Sequence, residues 1–209
     1  MARTPPETVK DVLRDFRRDQ VIDVARRLFG ERGTTEVSMD EIAQEAGVAR
    51  STVYVYFANR DELLRACLKR MHNQLLEAVA RRWEQADGPV GRLRSLIEAM
   101  FERIDDDPAF FRLAVVTHEA AAAGAPAAGA AAVGSELAVI GLDVARFLQD
   151  LYVEGFEAGI FRSLDPDRAT SLIGQQLFGA LSVRAAEPDP WPLAEAVDET
   201  CDFIVHALT

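Results

Sequence analysis

The sequence predicts an all-α protein in which a small three-helix unit precedes a larger helical domain. Apolar residues recur at the 3.6-residue spacing of an α-helix through most of the chain, and no segment shows the alternation typical of a strand. Asp, Gly and Pro residues interrupt this spacing at four places beyond the first unit. We therefore expect helices separated by short turns.

The composition is that of a globular protein with a substantial core. Hydrophobic residues make up 49% of the 209 residues, and no apolar run reaches the length of a membrane span. The first residues lack the apolar centre of a signal peptide, so we expect a cytoplasmic protein. Cys67 and Cys201 are expected to be buried, reduced thiols. The three histidines are far apart in the sequence, so no metal site and no cofactor is expected.

The first unit begins with a helix that has one clear apolar face. Its apolar residues fall at positions i, i+1, i+4, i+7 and i+8: Val21, Ile22, Ala25, Leu28 and Phe29. The helix is expected to begin near Phe16 and to stop at Gly33. Residues 1–15 mix basic and acidic side chains and are expected to form a flexible arm.

Two short helices joined by a tight turn are predicted over residues 39–58. Ser38 and Glu41 have the spacing of a capping box, which starts the first of them. Gly47 is expected in the left-handed conformation that ends it. The second helix has Ala49 at its start, where a capping side chain is normally found. This arrangement is typical of a helix-turn-helix, whose second helix enters the major groove of DNA.

A long helix is expected directly after this motif, and further helices fill the remaining chain. Asn59 and Glu62 repeat the capping pattern at the start of the long helix. Asp107 and Asp165 each precede a proline, as the N-cap of a helix often does. In residues 120–134 alanine favours helix, but three glycines and Pro126 interrupt it, so we expect the end of one helix and a mobile loop there.

The last two helices, expected at about 166–186 and 191–208, are the richest in apolar and small residues. Gly174, Gly179 and Ala180 would let another helix approach closely. We therefore expect the pair, about residues 166–208, to meet its twin in a four-helix interface between two chains. An internal core is the alternative.

Acidic residues are concentrated in the later part of the chain. The net charge is −11, but residues 1–70 carry 13 Lys and Arg against 12 Asp and Glu, whereas residues 71–209 carry 10 against 22. A near-neutral first third can present a positive face to DNA, and an acidic remainder would be kept away from phosphates. An ordinary acidic surface explains the second part equally well.

Three segments together resemble a known family. They are LFGERG at the end of the first helix, SMDEIAQEAGVARSTVYVYFANRDELL from Ser38 to Leu64, and GFEAGIFRSLDPDRATSLIGQQLFGAL further on. The chain resembles the TetR family of bacterial transcriptional repressors. The resemblance implies a helix-turn-helix DNA-binding domain over residues 16–62 and a ligand-binding and dimerisation domain over residues 63–209. It also implies a homodimer that leaves its operator when a small molecule fills a pocket.

The resemblance places contacts with the DNA backbone at four residues. The family's phosphate-binding tyrosine falls on Tyr54, and its next aromatic residue falls on Tyr56. Arg60 takes the place of a lysine, and Ser38 replaces a threonine at a helix start, where a hydroxyl and the helix N-terminus can meet a phosphate. The alternatives are packing roles for the tyrosines and a solvated helix start for Arg60.

Three residues at the start of the second short helix are the candidates for contacts with bases. Arg50 can offer a fork to guanine O6 and N7, Thr52 can touch a thymine methyl, and Ser51 lies between them. These contacts would specify sequence, whereas those of the tyrosines would only position the protein.

Aromatic and apolar residues of the acidic part are candidates for a small, hydrophobic effector. They occur at helical spacing, so a plain core is the alternative for each of them. His118 would add polarity to such a pocket. The predicted ligand-binding residues are Phe101, Ile104, Phe111, His118, Phe147, Tyr152 and Phe156.

Other functions have weaker support in the sequence. A protein partner could control the same DNA-binding domain, and activation could replace repression. An all-helical enzyme is a distant alternative, because the acidic groups at residues 105–107 and at Glu154 and Glu157 are explained by helix starts and helix spacing, and no GxSxG, P-loop or GxGxxG pattern occurs.

Overall fold

The computed structural model describes residues 9–112, 115, 130–187 and 190–209, and almost all of them are helical. In chain order the helices are α1 (Val9–Arg32), α2 (Met39–Glu45), α3 (Arg50–Tyr56), α4 (Arg60–Trp83), α5 (Gly88–Asp106), α6 (Ala130–Glu157), α7 (Pro166–Ala186) and α8 (Leu193–Leu208). No strand occurs in these ranges, so the predicted all-α fold is confirmed. No helix in the described part is long and apolar enough to cross a membrane.

Local sequence features set the boundaries of the first helices as expected. Gly33, with φ of 83°, ends α1, and Gly47, with φ of 63°, follows α2. Ser38 and Glu41 form the predicted capping box. The side chain of Asn59 caps α4 by accepting a hydrogen bond from the backbone N–H of Glu62. Ser38 and Asn59 accept hydrogen bonds from backbone N–H groups that would otherwise be unpaired in the first turns of α2 and α4. The helices of this region therefore follow one another with short connections.

Helices α1, α2 and α3 and residues 60–71 of α4 surround one hydrophobic core, and we call residues 9–71 the head. Its core contains the five predicted α1 residues, together with Ile42, Ala43, Val53 and Phe57. Arg27 and Arg32 of α1 form ion pairs with Glu45 and Glu41 at the two ends of α2, at 2.9 and 3.0 Å. The orientation of α2 on α1 is therefore fixed by packing below and by charge at both ends.

A second core lies among the remaining helices, and we call residues 72–106, 130–187 and 190–209 the body. Helix α5 is central and packs against α4, α6, α7 and α8. Arg184 of α7 is almost fully buried and forms a two-bond ion pair with Asp105, through Nε at 2.8 Å and Nη2 at 2.6 Å. Because α4 contributes to both cores, the boundary between them lies within this helix and not at its start.

A short helical turn after α5 joins the head to the body, and we call residues 107–112 the link turn. Phe110 is 1% exposed and belongs to the core of the head. The backbone of the turn lies so close to α1 that a Cβ at Gly30 would come within 2.7 Å of the Phe110 nitrogen. Arg26 of α1 also lies 3.4 Å from Asp107. The link turn therefore contacts the head through the side chain of Phe110, through its backbone near Gly30, and through the ion pair of Asp107 with Arg26.

Three expected boundaries need correction. Residues 9–15, predicted to belong to a flexible arm, continue α1 as an exposed helical extension, because helix spacing persists there; residues 1–8 lie outside the described residues. Residues 130–134, predicted as loop, are the first turn of α6, since alanine favours helix despite Gly134; residues 116–129 lie outside the described ranges. The last helix begins at Leu193, after Pro192.

Candidate DNA-binding surface and effector cavity

Helix α3 buries one residue and presents most of the others to solvent. Val53 is fully buried in the head, as predicted, whereas Ser51, Tyr54 and Val55 are exposed and Thr52 is half-buried. A seven-residue helix held by one buried anchor leaves its remaining sides free to enter a groove. The structure therefore leaves Arg50, Ser51 and Tyr54 accessible together at the surface of the head.

The Arg50 guanidinium is held from two directions. Its Nε lies 2.8 Å from Oδ1 of Asp40 in α2, and its Cζ lies 5.5 Å from the centre of the Tyr54 ring, one turn along α3. A side-chain hydrogen bond with Tyr54 and the charge of Asp40 raise the pKa of Arg50 above its ordinary value. Sequence reasoning missed Asp40. An acidic residue in the first turn of the helix that precedes Arg50 in the motif was the signal that could have indicated it.

Ser38 and Arg60, predicted to meet the DNA backbone, lie in one polar depression. The depression has a volume of about 460 Å³ and is also lined by Val37, Met39, Asn59 and Asp61. The starts of α2 and α4 meet there, so backbone N–H groups and a guanidinium face the same space. Arg60 donates a weak hydrogen bond of 3.4 Å to the carbonyl of Thr35, which leaves most of its donors free.

Ser38 is engaged in its own cap. Its backbone N–H donates to Glu41 Oε2 at 2.9 Å, its hydroxyl donates to the same oxygen at 2.8 Å, and the Glu41 N–H donates to the hydroxyl oxygen. These hydrogen bonds, with that from Arg32, lower the pKa of Glu41 to about 2. The carboxylate thus stays charged, and the Ser38 side chain is oriented before any ligand arrives.

Tyr56 is more buried than Tyr54 and packs edge-on against Phe57, with ring centres 6.3 Å apart. Phe57 in turn lies under the guanidinium of Arg18, at 5.3 Å. Tyr56 therefore has a packing role beside its predicted contact with DNA. The start of α3 is uncapped by a side chain at Ala49, as predicted.

An apolar cavity of about 560 Å³ opens between α5, α6 and α7 in the body. Small and aliphatic residues form most of its walls, and three polar residues of α7 add hydrogen-bonding groups on one side. Its described lining is Met100, Phe111, Val115, Ile140, Gly141, Val144, Ala145, Leu148, Thr170, Ser171, Gly174, Gln175, Leu177, Phe178 and Leu181. Volume and lining are those of sites for small, mainly apolar molecules.

Of the predicted ligand-binding residues that the structure describes, Phe111 alone lines this cavity. Phe101 and Ile104 are fully buried in the core of the body, and Phe101 packs under Arg184. Phe147 packs against Trp83, and Phe156 is exposed. These residues were predicted to bind a ligand because their side chains are large. Large side chains, however, fill the space between helices and do not leave a cavity.

Tyr152, also predicted to bind the ligand, has a structural role. Its hydroxyl shares its one proton between the carbonyls of Arg162 and Leu164, at 3.0 and 2.9 Å, and accepts from the N–H of Leu164. These contacts fix the turn between α6 and α7. The polar end of the ring is therefore already paired. His118 lies outside the described residues.

Sequence reasoning missed most of the cavity, and the missed residues share one feature. Gly141 and Ala145 on α6 and Gly174 on α7 all line the cavity, so short side chains occur where longer ones would fill the space. Gly174 was expected to receive a helix of a second chain, and instead it opens into the cavity. Small residues on neighbouring helices were the signal that could have located the cavity.

The chain has two cysteines. Cys67 and Cys201 are both free and buried, as predicted. Burial raises the pKa of the Cys67 thiol to about 12 and also raises that of Cys201. Within the described ranges no group of three or more His, Cys, Asp or Glu side chains could hold a metal ion.

Comparison with known proteins agrees with this architecture. Residues 21–67 match the sequence profile of the bacterial regulatory proteins of the TetR family. This part of the chain belongs to the TetR family. Its helix-turn-helix domain is thus of the TetR type, as the motif between Ser38 and Leu64 predicted.

Known transcriptional regulators match about half of the chain. The transcriptional activator FasR of Mycolicibacterium smegmatis is 36% identical over 100 residues, which are 48% of this chain and 46% of that protein. The chain spans about half the length of the curated relatives it matches.

Solved structures extend the likeness to the whole fold. The fatty acid degradation regulator FadR of Bacillus halodurans has a TM-score of 0.75 at 21% identity, over 98% of this chain and 97% of that one. FadR of Bacillus subtilis, solved in complex with stearoyl-CoA, has a TM-score of 0.74 at 21% identity, over 91% and 99%. The body thus has the fold of these TetR-like regulators.

Proposed function

We propose that the protein is a sequence-specific DNA-binding transcriptional regulator, most simply a repressor, which a small hydrophobic molecule releases from its operator. It acts in the cytoplasm, where the chromosome is accessible, and it has no catalytic step of its own. The observation that supports this proposal is a helix-turn-helix with an exposed polar face, built on a core that is connected to an apolar cavity.

The connection consists of two neighbouring residues of the link turn. Phe110 is inserted into the core of the head, and Phe111 lines the cavity of the body. Arg112 also donates a 2.8 Å hydrogen bond to the carbonyl of Ala185 in α7. A molecule that displaces Phe111 therefore moves Phe110, and through the close contact at Gly30 it moves α1 as well.

Helix α4 provides a second route between the two regions. His72 of α4 is buried, and its Nε2 lies 3.0 Å from Oδ2 of Asp143, which is on α6 between cavity-lining residues. Binding in the cavity would shift α6 and pivot α4, and so change the separation of two recognition helices from the roughly 34 to 36 Å that successive major grooves require. DNA and effector then compete through one coupling free energy.

This scheme needs two heads, and the surface of the last two helices offers an interface for a homodimer. Leu172 and Val183 of α7 and Phe203 of α8 are exposed, with 62% exposure for Phe203. A Cβ at Gly179, which lies on α7, would meet no atom within 4 Å among the described residues. An apolar surface with room for a helix fits pairing with the same surface of a second chain.

The effector class follows from the cavity and from the fold neighbours together. The walls are aliphatic, and Thr170, Ser171 and Gln175 would bind one polar end of an otherwise apolar molecule. A structural neighbour was solved with stearoyl-CoA. A fatty acyl compound is therefore the first effector to test. Since one relative is an activator, the same mechanism also serves activation.

Selection of binding sites from a randomised DNA duplex tests the DNA-binding part. The wild type should enrich a palindrome, on which Arg50→Ala costs about 1–3 kcal/mol and relaxes one base position. Tyr54→Phe should weaken all duplexes alike, because a phosphate contact carries no sequence information. Arg162→Ala, an equal charge change on the body, should leave base preference unchanged. No enriched sequence for the wild type would overturn the proposal.

Displacement from the selected duplex by stearoyl-CoA or by stearate tests the effector part. Gly141→Leu should abolish displacement by filling the cavity, while Gly134→Leu, two turns earlier on α6, should not, since its Cβ also meets open space. Failure of both compounds and of a wider panel of acyl and sterol compounds would exclude this effector class. Displacement unaffected by Gly141→Leu would exclude this cavity.

A further inference from the structure

Asp40 occupies an unusual place among the acidic residues of the head. It lies in the first turn of α2, and its ion pair with Arg50 joins α2 to the first residue of α3. Other ion pairs of the motif, from Arg27 and Arg32, instead join α2 to α1. Those pairs support the packing of the helices, whereas the Asp40 pair touches a side chain expected to contact bases.

Both partners remain accessible. The side chains of Asp40 and Arg50 are 55% and 65% exposed, so the pair lies on the surface and not in the core. An exposed pair of this kind stabilises a fold by about 1 kcal/mol or less. The folding of the head therefore does not require it, and its position on the face of α3 needs another explanation.

We propose that Asp40 is a specificity-determining residue that positions Arg50 for guanine. The inference rests on the proposed DNA-binding function. Asp40 contacts Nε of the guanidinium, and the Tyr54 ring lies beside its Cζ, so the guanidinium is restrained by two contacts. A free arginine has to lose its rotamer entropy when it binds, and a restrained one has lost part of it already.

The contact also selects one binding geometry. An arginine has five N–H donors. Asp40 engages that of Nε and the hydrogen bond with Tyr54 engages one more, so three donors remain for a base. The two terminal nitrogens, Nη1 and Nη2, form the end-on fork that matches O6 and N7 of guanine in the major groove. Asp40 thus excludes the side-on approach through Nε and directs the fork away from α2.

The charge of Asp40 acts in the same direction. A carboxylate beside Arg50 cancels part of its attraction for phosphates, which is the main source of binding to random DNA. It does not remove the hydrogen bonds to guanine, because these depend on the donors that Asp40 and Tyr54 leave unengaged. Asp40 therefore lowers non-specific affinity more than specific affinity, and discrimination is the ratio of the two.

The test measures the DNA affinity of four variants: Asp40→Ala, Asp40→Asn, Arg50→Ala, and Asp40→Ala combined with Arg50→Ala. Each is measured on the duplex selected by the wild type, on single-base variants of that duplex, and on random duplex. Asp40→Ala should reduce the preference for guanine about two- to fivefold, the range of an exposed ion pair. It should also strengthen binding to random DNA. Asp40→Asn keeps an oxygen that can accept from Nε, so it should retain more of the guanine preference.

Controls separate this effect from folding and from net charge. Glu36→Ala removes one acid from the head without removing the partner of Arg50, and it should leave base preference unchanged. In the Arg50→Ala background the Asp40→Ala change should no longer affect base preference. An Asp40→Ala variant that keeps the wild-type preference, while Arg50→Ala loses it, overturns this inference alone. A wild type that selects no sequence overturns the proposed function instead.

Discussion

The head and the body are both helical bundles around a buried core, yet the body leaves about 560 Å³ open between its helices. In the head, Phe29, Phe57 and Phe110 come from three separate segments and fill the centre. In the body, Gly141 and Gly174 on two neighbouring helices both line the open space. Close packing holds a fixed shape, whereas missing side-chain volume leaves room for a ligand.

Alanine at two adjacent positions gives the strongest test of this difference. Phe110→Ala should cost about 3–5 kcal/mol of unfolding free energy, because it empties a site in a filled core. Phe111→Ala should cost clearly less, since its ring already borders open space. Urea denaturation followed by circular dichroism measures both. Equal losses would contradict the contrast between a filled and an open core.

The same contrast explains which parts of the molecule could be predicted. Boundaries in the head depend on residues a few positions apart, such as Ser38 with Glu41, and the φ of 63° at Gly47 needs a residue without a side chain. Such local rules are visible in one sequence. The ion pair of Asp40 with Arg50 and the packing of Phe110 in the head are not visible there, because the partners lie on other helices.

The cavity escaped prediction for a related reason. Phe101, Ile104 and Tyr152 were chosen because large apolar residues accompany ligands, but an aromatic residue at helical spacing packs equally well in a core. Which helices face each other across a gap depends on their packing angles, and one sequence does not contain those. The α1 extension over residues 9–15 was missed because charged residues obscured its apolar stripe.

Capping offers a smaller test within the head. Ser38→Ala should cost about 1 kcal/mol, because it leaves the N–H of Glu41 unpaired. Ala49→Ser should stabilise by up to about 1 kcal/mol, since α3 has no side-chain cap. Thermal denaturation of both variants provides the measurement. A stabilising Ser38→Ala change or a destabilising Ala49→Ser change would show that side-chain caps do not determine the stability of α2 and α3.

Acid should reveal the weakest of these effects. The folded pKa of Glu41, about 2, lies below its ordinary value of 4.5, so its contribution to stability is complete above 4.5 and is lost as the pH falls towards 2. Glu41→Gln should remove this part of the acid sensitivity, whereas Glu36→Gln should not. Urea midpoints of the three proteins across that pH range give the comparison. Parallel acid profiles for all three would contradict the assignment.

The place of Phe110 in the head has a consequence for the order of events during synthesis on the ribosome. The residues that read DNA emerge early, but the core beneath them lacks one aromatic side chain until α5 and the link turn have followed. A nascent chain that ends after α4 therefore carries the complete motif over an incomplete core. The core of the head is therefore completed during synthesis only after the link turn has emerged.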